Sequence, residues 1–135
     1  MKFRVHASLI KKLGDELIGN EVTALTEMIK NSYDADASIC KIEIDTKIVQ
    51  NGEIGSIIVE DNGCGMSLDD IEKGWLVISN SKKKKQKENL ERTKQGRWII
   101  GEKGIGRLAT QKLGRFLKII TKQKESNEEI TVLID

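Results

Sequence analysis

The sequence predicts an α+β fold: a two-layer sandwich with helices packed on one face of a mixed, largely antiparallel sheet. Three observations carry that expectation. Helical periodicity and strand-like alternation occupy separate stretches of the chain. The strand-like stretches come in pairs joined by short turns, which favours antiparallel neighbours. Glycine does the punctuating, with 12 Gly, in clusters, and no proline. At 135 residues and 38% apolar composition, the chain suffices for one hydrophobic core and reads as a single domain over 1–135.

The elements follow in order. Residues 3–6 (FRVH) read as a short strand. ASLIKKLGDELIG, 7–19, has a helical apolar pattern interrupted by Gly14. Asn20 is an N-cap candidate, with Glu21 in the first turn of a helix running to about Tyr33. SICKIEID (38–45) alternates Ile39, Ile42 and Ile44 with polar partners, and an Asn-Gly turn at 51–52 leads to IGSIIVED (54–61). Together these predict a hairpin. Ser67 and Asp70 have the spacing of a capping box opening a short helix. Residues 81–97, almost wholly polar and charged, predict a mobile surface loop. After RWII comes a glycine-rich run and a helix closed by Gly114, then two strand-like stretches, 115–122 and 128–134, joined by a polar turn.

Composition removes several classes of function. The 23 basic and 21 acidic side chains nearly cancel, so net charge does not argue for a polyanionic partner. Aromatics at 4% disfavour a stacking platform for single-stranded nucleic acid. No apolar run approaches the roughly 20 residues that span a bilayer, and the N-terminus has no secretory h-region. Cys40 and Cys64 form no C-x-x-C and neither lies near the lone His6. A disulfide scaffold or zinc site is therefore not expected, and a reducing cytoplasm fits. Cys64 reads as a small buried residue.

Three stretches carry possible chemistry. EMIKNSYDADA (27–37) places Glu27, Asn31 and Asp34 on one helical stripe, at about 0°, +40° and −20° on a 100° wheel. Ile18, Leu25 and Ile29 fall opposite, with Val22 and Met28 flanking, so that face is expected to be core. On periodicity alone the polar stripe is a solvated face. Against that, Asn is a weak helix former and a good neutral oxygen ligand for a hard cation, and Glu can polarise a water.

VEDNGCGM (59–66) leaves a strand at Asp61, whose carboxylate accepts from an amine donor. Gly63 and Gly65 allow close backbone approach. Alone, the stretch reads equally as a β-turn. GEKGIGRLA (101–109) opens a helix with exposed backbone N–H groups, and Lys103 and Arg107 add positive charge, which together suit a phosphate. Its GIGRLA also meets the dinucleotide fingerprint G-x-G-x-x-A, but the elements that follow look like an antiparallel pair and not a parallel βαβ unit. The lysine run 82–85 is interrupted downstream by Glu88 and Glu91 and reads as solvated, leaving nucleic-acid binding as an accessory activity at most.

Taken together, E-x-x-x-N-S-x-D-A (27–35), D-N-G-C-G-M (61–66) and G-E-K-G-I-G-R (101–107) resemble, in order and spacing, the N, G1 and G2 boxes of the Bergerat-fold (GHKL) ATPases. That superfamily embraces gyrase B subunits, heat-shock chaperones, sensor histidine kinases and MutL mismatch-repair proteins. Glu27 places the likeness on the MutL and heat-shock-chaperone side, and SNSKK (79–83) resembles the T-S-K segment after G1 in MutL-like proteins. The resemblance implies the cofactors ATP and Mg²⁺. It implies Glu27 as the base activating the attacking water and Asn31 as the magnesium ligand. Asp34 would line the nucleotide pocket, with Ala35 closing it. Asp61 would accept from the adenine amino group, backed by Gly63, Gly65 and Met66. Ser81 and Lys82 would edge a lid spanning about 80–103, and Gly101, Lys103, Gly104, Ile105 and Gly106 would wrap the phosphates.

In that family further strands follow the point where this sequence stops, including a threonine near the adenine. Thr131 comes one hairpin too early to be that residue, so the resemblance implies a domain cut short at Asp135. It also implies a homodimer in the full-length protein, with nucleotide closing the lid and moving downstream domains. A non-catalytic nucleotide sensor signalling through the lid is the competing expectation.

Overall fold

The computed structural model describes Ser8, Lys12 and residues 16–75, 90–101 and 106–135. The expected strand at 3–6 and most of the first predicted helix lie outside these residues. Helix α1, Glu21–Asp34, starts where the cap predicts: the Asn20 Oδ1 accepts from the Thr23 backbone N–H at 2.8 Å, satisfying one of the free donors of the first turn. Strands β1 (Cys40–Gln50) and β2 (Glu53–Asp61) pair antiparallel through the Asn51-Gly52 turn. Both turn residues have positive φ, 51° and 77°, the backbone that two-residue hairpin loops require.

The register slips between Asp45 and Val49. There the Asp45 carboxylate accepts from the backbone N–H groups of Lys47 (2.7 Å) and Ile48 (3.0 Å). Those two bonds, Lys47 first, hold its acid below the usual carboxylate range. Ser67 and Asp70 form the reciprocal capping box, opening a single helical turn, α2 (Leu68–Asp70), that runs on as a π-turn over Ile71–Trp75. Helix α3, Gly106–Leu113, is followed by β3 (Leu117–Lys122) and β4 (Glu129–Ile134), again an antiparallel hairpin.

The α+β class and the antiparallel pairing are as expected. Among the described residues the strands form two separate two-stranded sheets, β1–β2 and β3–β4. The core lies where α1 meets α3. Ile18, Ala24, Met28, Leu108 and Ala109 are buried together, with Val59 of β2, Trp75 and Leu113 packed against them. Ala24 and Ala109 are fully buried, so small side chains let the two helices approach. Full burial of Ile18, Ile71 and Leu108 contributes about 1.5–3 kcal/mol each.

Two expectations are corrected. The predicted core face of α1 is displaced: Val22 is 74% exposed and Ile29 44%, whereas Glu27 is 6% exposed and Ser32 2%. The helix turns its polar stripe inward because Ala24 and Met28, adjoining that stripe, are the residues that meet α3. Cys64 is exposed, not buried. Of the expected mobile surface loop at 81–97, the described residues 90–97 contain a turn: Arg92 bridges Trp98, and Thr93 N–H donates to the Arg97 carbonyl at 2.9 Å. The remainder, 81–89, lies outside the described residues.

Candidate functional site

The buried edge of α1 supplies the first group of side chains. Glu27 is held by Lys30, whose Nζ lies 2.8 Å from Oε1 on the adjacent turn. One turn on, the Asn31 side chain meets the start of α3. A Cβ built on Gly106 would stand 3.2 Å from the Asn31 Nδ2 and 3.6 Å from the Trp75 ring. A side chain there would press on that amide by a few tenths of an ångström, so glycine suits the close approach of the α3 N-terminus. Ser32 then reaches across to β2, its hydroxyl donating to Asp61 Oδ2 at 2.9 Å. The other Asp61 oxygen, Oδ1, accepts from Gly63 N–H at 2.8 Å. Both carboxylate oxygens are therefore oriented, and each retains accepting capacity.

The end of α1 is a junction of three segments. Asp34 accepts from the backbone N–H groups of Ile100 and Gly101, both at 2.9 Å. Ala35 serves the D-N-G-C-G-M loop: its carbonyl accepts from Cys64 N–H at 2.8 Å, and its Cβ lies 2.7 Å from where a Gly63 Cβ would be. Asp36, with φ 59°, accepts from Gln95 N–H at 3.2 Å. Three consecutive residues thus bind two stretches: Asp34 and Asp36 hold 95–101, and Ala35 between them holds the D-N-G-C-G-M loop.

The far side of the loop rests on β3. Gly65 has φ +73°, and a Cβ there would lie 2.6 Å from the Lys122 carbonyl carbon and closer still to its oxygen. Met66 N–H donates to the buried Thr121 Oγ1 at 2.9 Å. A cleft of about 160 Å³ between Met66–Leu68 and the β3–β4 turn shares only Met66 with the predicted set.

The structure therefore places Asn31 against Gly106, Asp34 on Gly101, Ala35 on Gly63, Asp61 beside Gly63, and Gly65 and Met66 on β3. The Asp34 carboxylate, expected to line a pocket, tethers the backbone that leads into the glycine-rich run. Ser81, Lys82, Lys103, Gly104 and Ile105 lie outside the described residues. Sequence reasoning missed Lys30, Ser32, Arg97 and Thr121. The i, i+3 spacing of Glu27 and Lys30 was a usable signal; the partners of Ser32 and Thr121 lie 29 and 55 positions away and leave no local pattern.

The D-N-G-C-G-M loop and the two described flanks of the second glycine-rich run, Gly101 and Gly106, thus all meet the second half of α1. Residues 20–135 match the family model described as histidine kinase-, DNA gyrase B-, and HSP90-like ATPase, and the chain belongs to that family. It is 33% identical over 100 residues to "Putative type II restriction enzyme HgiDII" of Herpetosiphon aurantiacus, covering 74% of this chain and 14% of that protein. Similarity to the DNA mismatch repair protein MutL of Chlamydia pneumoniae is 46% over 56 residues, or 42% of this chain and 9% of MutL. With the chaperone protein HtpG of Geobacter metallireducens it is 28% over 121 residues, or 79% and 19%. The chain spans less than a fifth of the length of each of these relatives. As a member of this family it is an ATP-binding domain. Among the described residues no helix is long and apolar enough to cross a membrane.

Proposed function

We propose that the chain binds Mg-ATP along the buried edge of α1 and that, in the longer protein, it hydrolyses the nucleotide with Glu27 as general base. The observation that carries this reading is the burial of Glu27, 6% exposed, on a helix that leaves Val22 74% exposed. A carboxylate is costly to bury without a partner, and helices bury Glu in preference to Val only under some other constraint. Lys30 holds Oε1, leaving Oε2 to accept a proton from water.

Magnesium fits the donor set. Mg²⁺ bound with a nucleotide takes one or two protein oxygens and completes its shell with phosphates and water. The Asn31 amide, held against the α3 N-terminus, would supply such an oxygen, and the ion would neutralise phosphate charge when bound. The N-terminal N–H groups of α3 favour an anion at the same place. Asp61, oriented by Ser32 and Gly63, accepts the adenine amino group, with Gly65 and Met66 beside it. Asp34 and Ala35 position the two glycine-rich loops. Ser81, Lys82, Lys103, Gly104 and Ile105 complete the lid and the phosphate wrap in this proposal.

Nucleotide closes the 80–103 segment and promotes a homodimer and movement of downstream domains in the longer protein. The two free cysteines, both exposed, suit a reducing cytoplasm. A second reading, a non-catalytic nucleotide sensor, draws on the Glu27–Lys30 ion pair, which occupies one oxygen of the base.

Two variants separate the readings. Glu27→Ala retains Mg-ATP binding and loses about 10²–10⁴-fold in turnover, the usual contribution of a general base. Asn31→Ala loses Mg-ATP affinity instead. Single-turnover hydrolysis and calorimetry on the longer protein measure both. Equal turnover in wild type and Glu27→Ala would remove the catalytic role and leave the sensor.

A further inference from the structure

Segment 92–101 reaches the end of α1 with one side chain, Arg97, as well as with backbone N–H groups. Arg97 donates from Nη1 to the Ala37 carbonyl at 2.8 Å and to the Tyr33 carbonyl at 3.1 Å. Its guanidinium also stacks 4.7 Å from the Tyr33 ring centroid, and its Nε lies 4.0 Å from Asp36 Oδ1. The last turn of α1 has no basic residue of its own, so Arg97 brings a cation to the negative end of the helix from 64 positions away. The turn that carries it is internally braced: Gly96 N–H donates to Thr93 at 2.9 Å, and the Arg92 guanidinium lies 3.9 Å over the Trp98 ring. On either side of Arg97, Gln95 N–H binds Asp36, and Ile100 and Gly101 N–H bind Asp34.

We propose that Arg97 is a positioning residue for the nucleotide site, a latch that seats segment 92–101 on the end of α1 and so fixes Gly101 at the head of the glycine-rich run. The proposal rests on the nucleotide reading above. Arg97 acts through Asp34. With the guanidinium bound to the two carbonyls, the Ile100 and Gly101 amides are in reach of the Asp34 carboxylate. Without it, those amides are held by Asp34 alone and the first phosphate-binding glycine loses its fixed place relative to Gly106 and Asn31.

The test compares wild type, Arg97→Ala and Arg97→Lys in the full chain. Amide hydrogen exchange is read without nucleotide, and Mg-ATP affinity by calorimetry. In Arg97→Ala, exchange at Gln95, Ile100 and Gly101 rises about tenfold and Mg-ATP binds about tenfold more weakly, the equivalent of one charge-assisted hydrogen bond of about 1.4 kcal/mol. Amides of β1–β2 and β3–β4 keep their wild-type rates. Arg97→Lys recovers part of both effects, because an ammonium still donates to two carbonyls though it does not reproduce the planar stacking.

Unchanged affinity in an Arg97→Ala protein whose wild type binds Mg-ATP overturns the latch and leaves the nucleotide reading intact. A uniform rise in exchange across both hairpins also overturns it, since that marks global destabilisation. If wild type binds no Mg-ATP while the three amides still respond to Arg97→Ala, the nucleotide reading is what has failed, and the positioning role falls with it. Should Arg97→Ala not fold, Asp36→Asn replaces it: this removes the charge facing Arg97 and keeps an acceptor for Gln95, with the same three amides as readout.

Discussion

Replacing Gly65 by alanine tests whether the D-N-G-C-G-M loop is seated on β3 as described. Two costs combine. An L-residue at φ +73° costs about 1–3 kcal/mol. The new Cβ would also stand 2.6 Å from the Lys122 carbonyl carbon, whereas unstrained carbon contacts lie at about 3.5–4.0 Å. The loop and strand must therefore separate by about 1 Å, an overpacking cost of about 1–3 kcal/mol. That movement also strains the Met66–Thr121 hydrogen bond, worth about 1 kcal/mol.

The expected loss for Gly65→Ala is thus roughly 3–7 kcal/mol. Gly52→Ala supplies the control. It has nearly the same backbone, φ +77°, but nothing within 4 Å of its Cβ, so it carries only the backbone strain. Urea unfolding followed by tryptophan fluorescence measures both. The Gly65 variant is expected to lose at least about 2 kcal/mol more than the Gly52 variant. If the two lose the same to within about 0.5 kcal/mol, a margin typical of neutral changes, the close approach of the loop to β3 is refuted.

The other predictions follow from the same contacts. Glu27→Ala is expected to separate binding from turnover, and Asn31→Ala to abolish Mg-ATP binding, as set out above. Ser32→Ala removes a buried hydroxyl from Asp61 and should cost about 1–3 kcal/mol in unfolding free energy; it also weakens nucleotide binding, and wild-type values for both in calorimetry would contradict the role of Ser32 in orienting that carboxylate. Arg97→Ala should loosen three named amides. Asp45 should titrate below an ordinary aspartate because Lys47 and Ile48 N–H groups hold its anion. Its contribution to hairpin stability is therefore fully present above its unfolded pKa and is lost as pH falls through its lower folded value. A carboxyl-detected NMR titration that gave Asp45 an ordinary or raised midpoint would overturn this.

Local chemistry was the legible part of the sequence. Asn20, the Asn51-Gly52 turn and the Ser67–Asp70 box each act within a few residues, so their spacing alone located helix starts and a hairpin. The glycine boxes were legible through their order along the chain. What could not be read was the direction in which α1 faces. Hydropathy favoured Val22, Leu25 and Ile29 as core, but α3 meets Ala24 and Met28 and carries Glu27 inward with them. The seating of 92–101 was equally hidden. Its bonds join carboxylates and carbonyls of α1 to backbone donors and an arginine 59 to 67 positions later, and no periodicity records such pairs.

The Asp34-Ala35-Asp36 junction also bears on which changes of length the chain can tolerate. Asp34 and Asp36 hold two points of segment 92–101, and Ala35 between them holds the 61–66 loop, so their spacing is a shared measuring point for both. One residue inserted between Asp34 and Asp36 adds up to about 3.8 Å of chain, more than the reach of any of the hydrogen bonds made there. An insertion within this box would therefore break at least one of these bonds, which is why a short string of letters can stand for an arrangement in space.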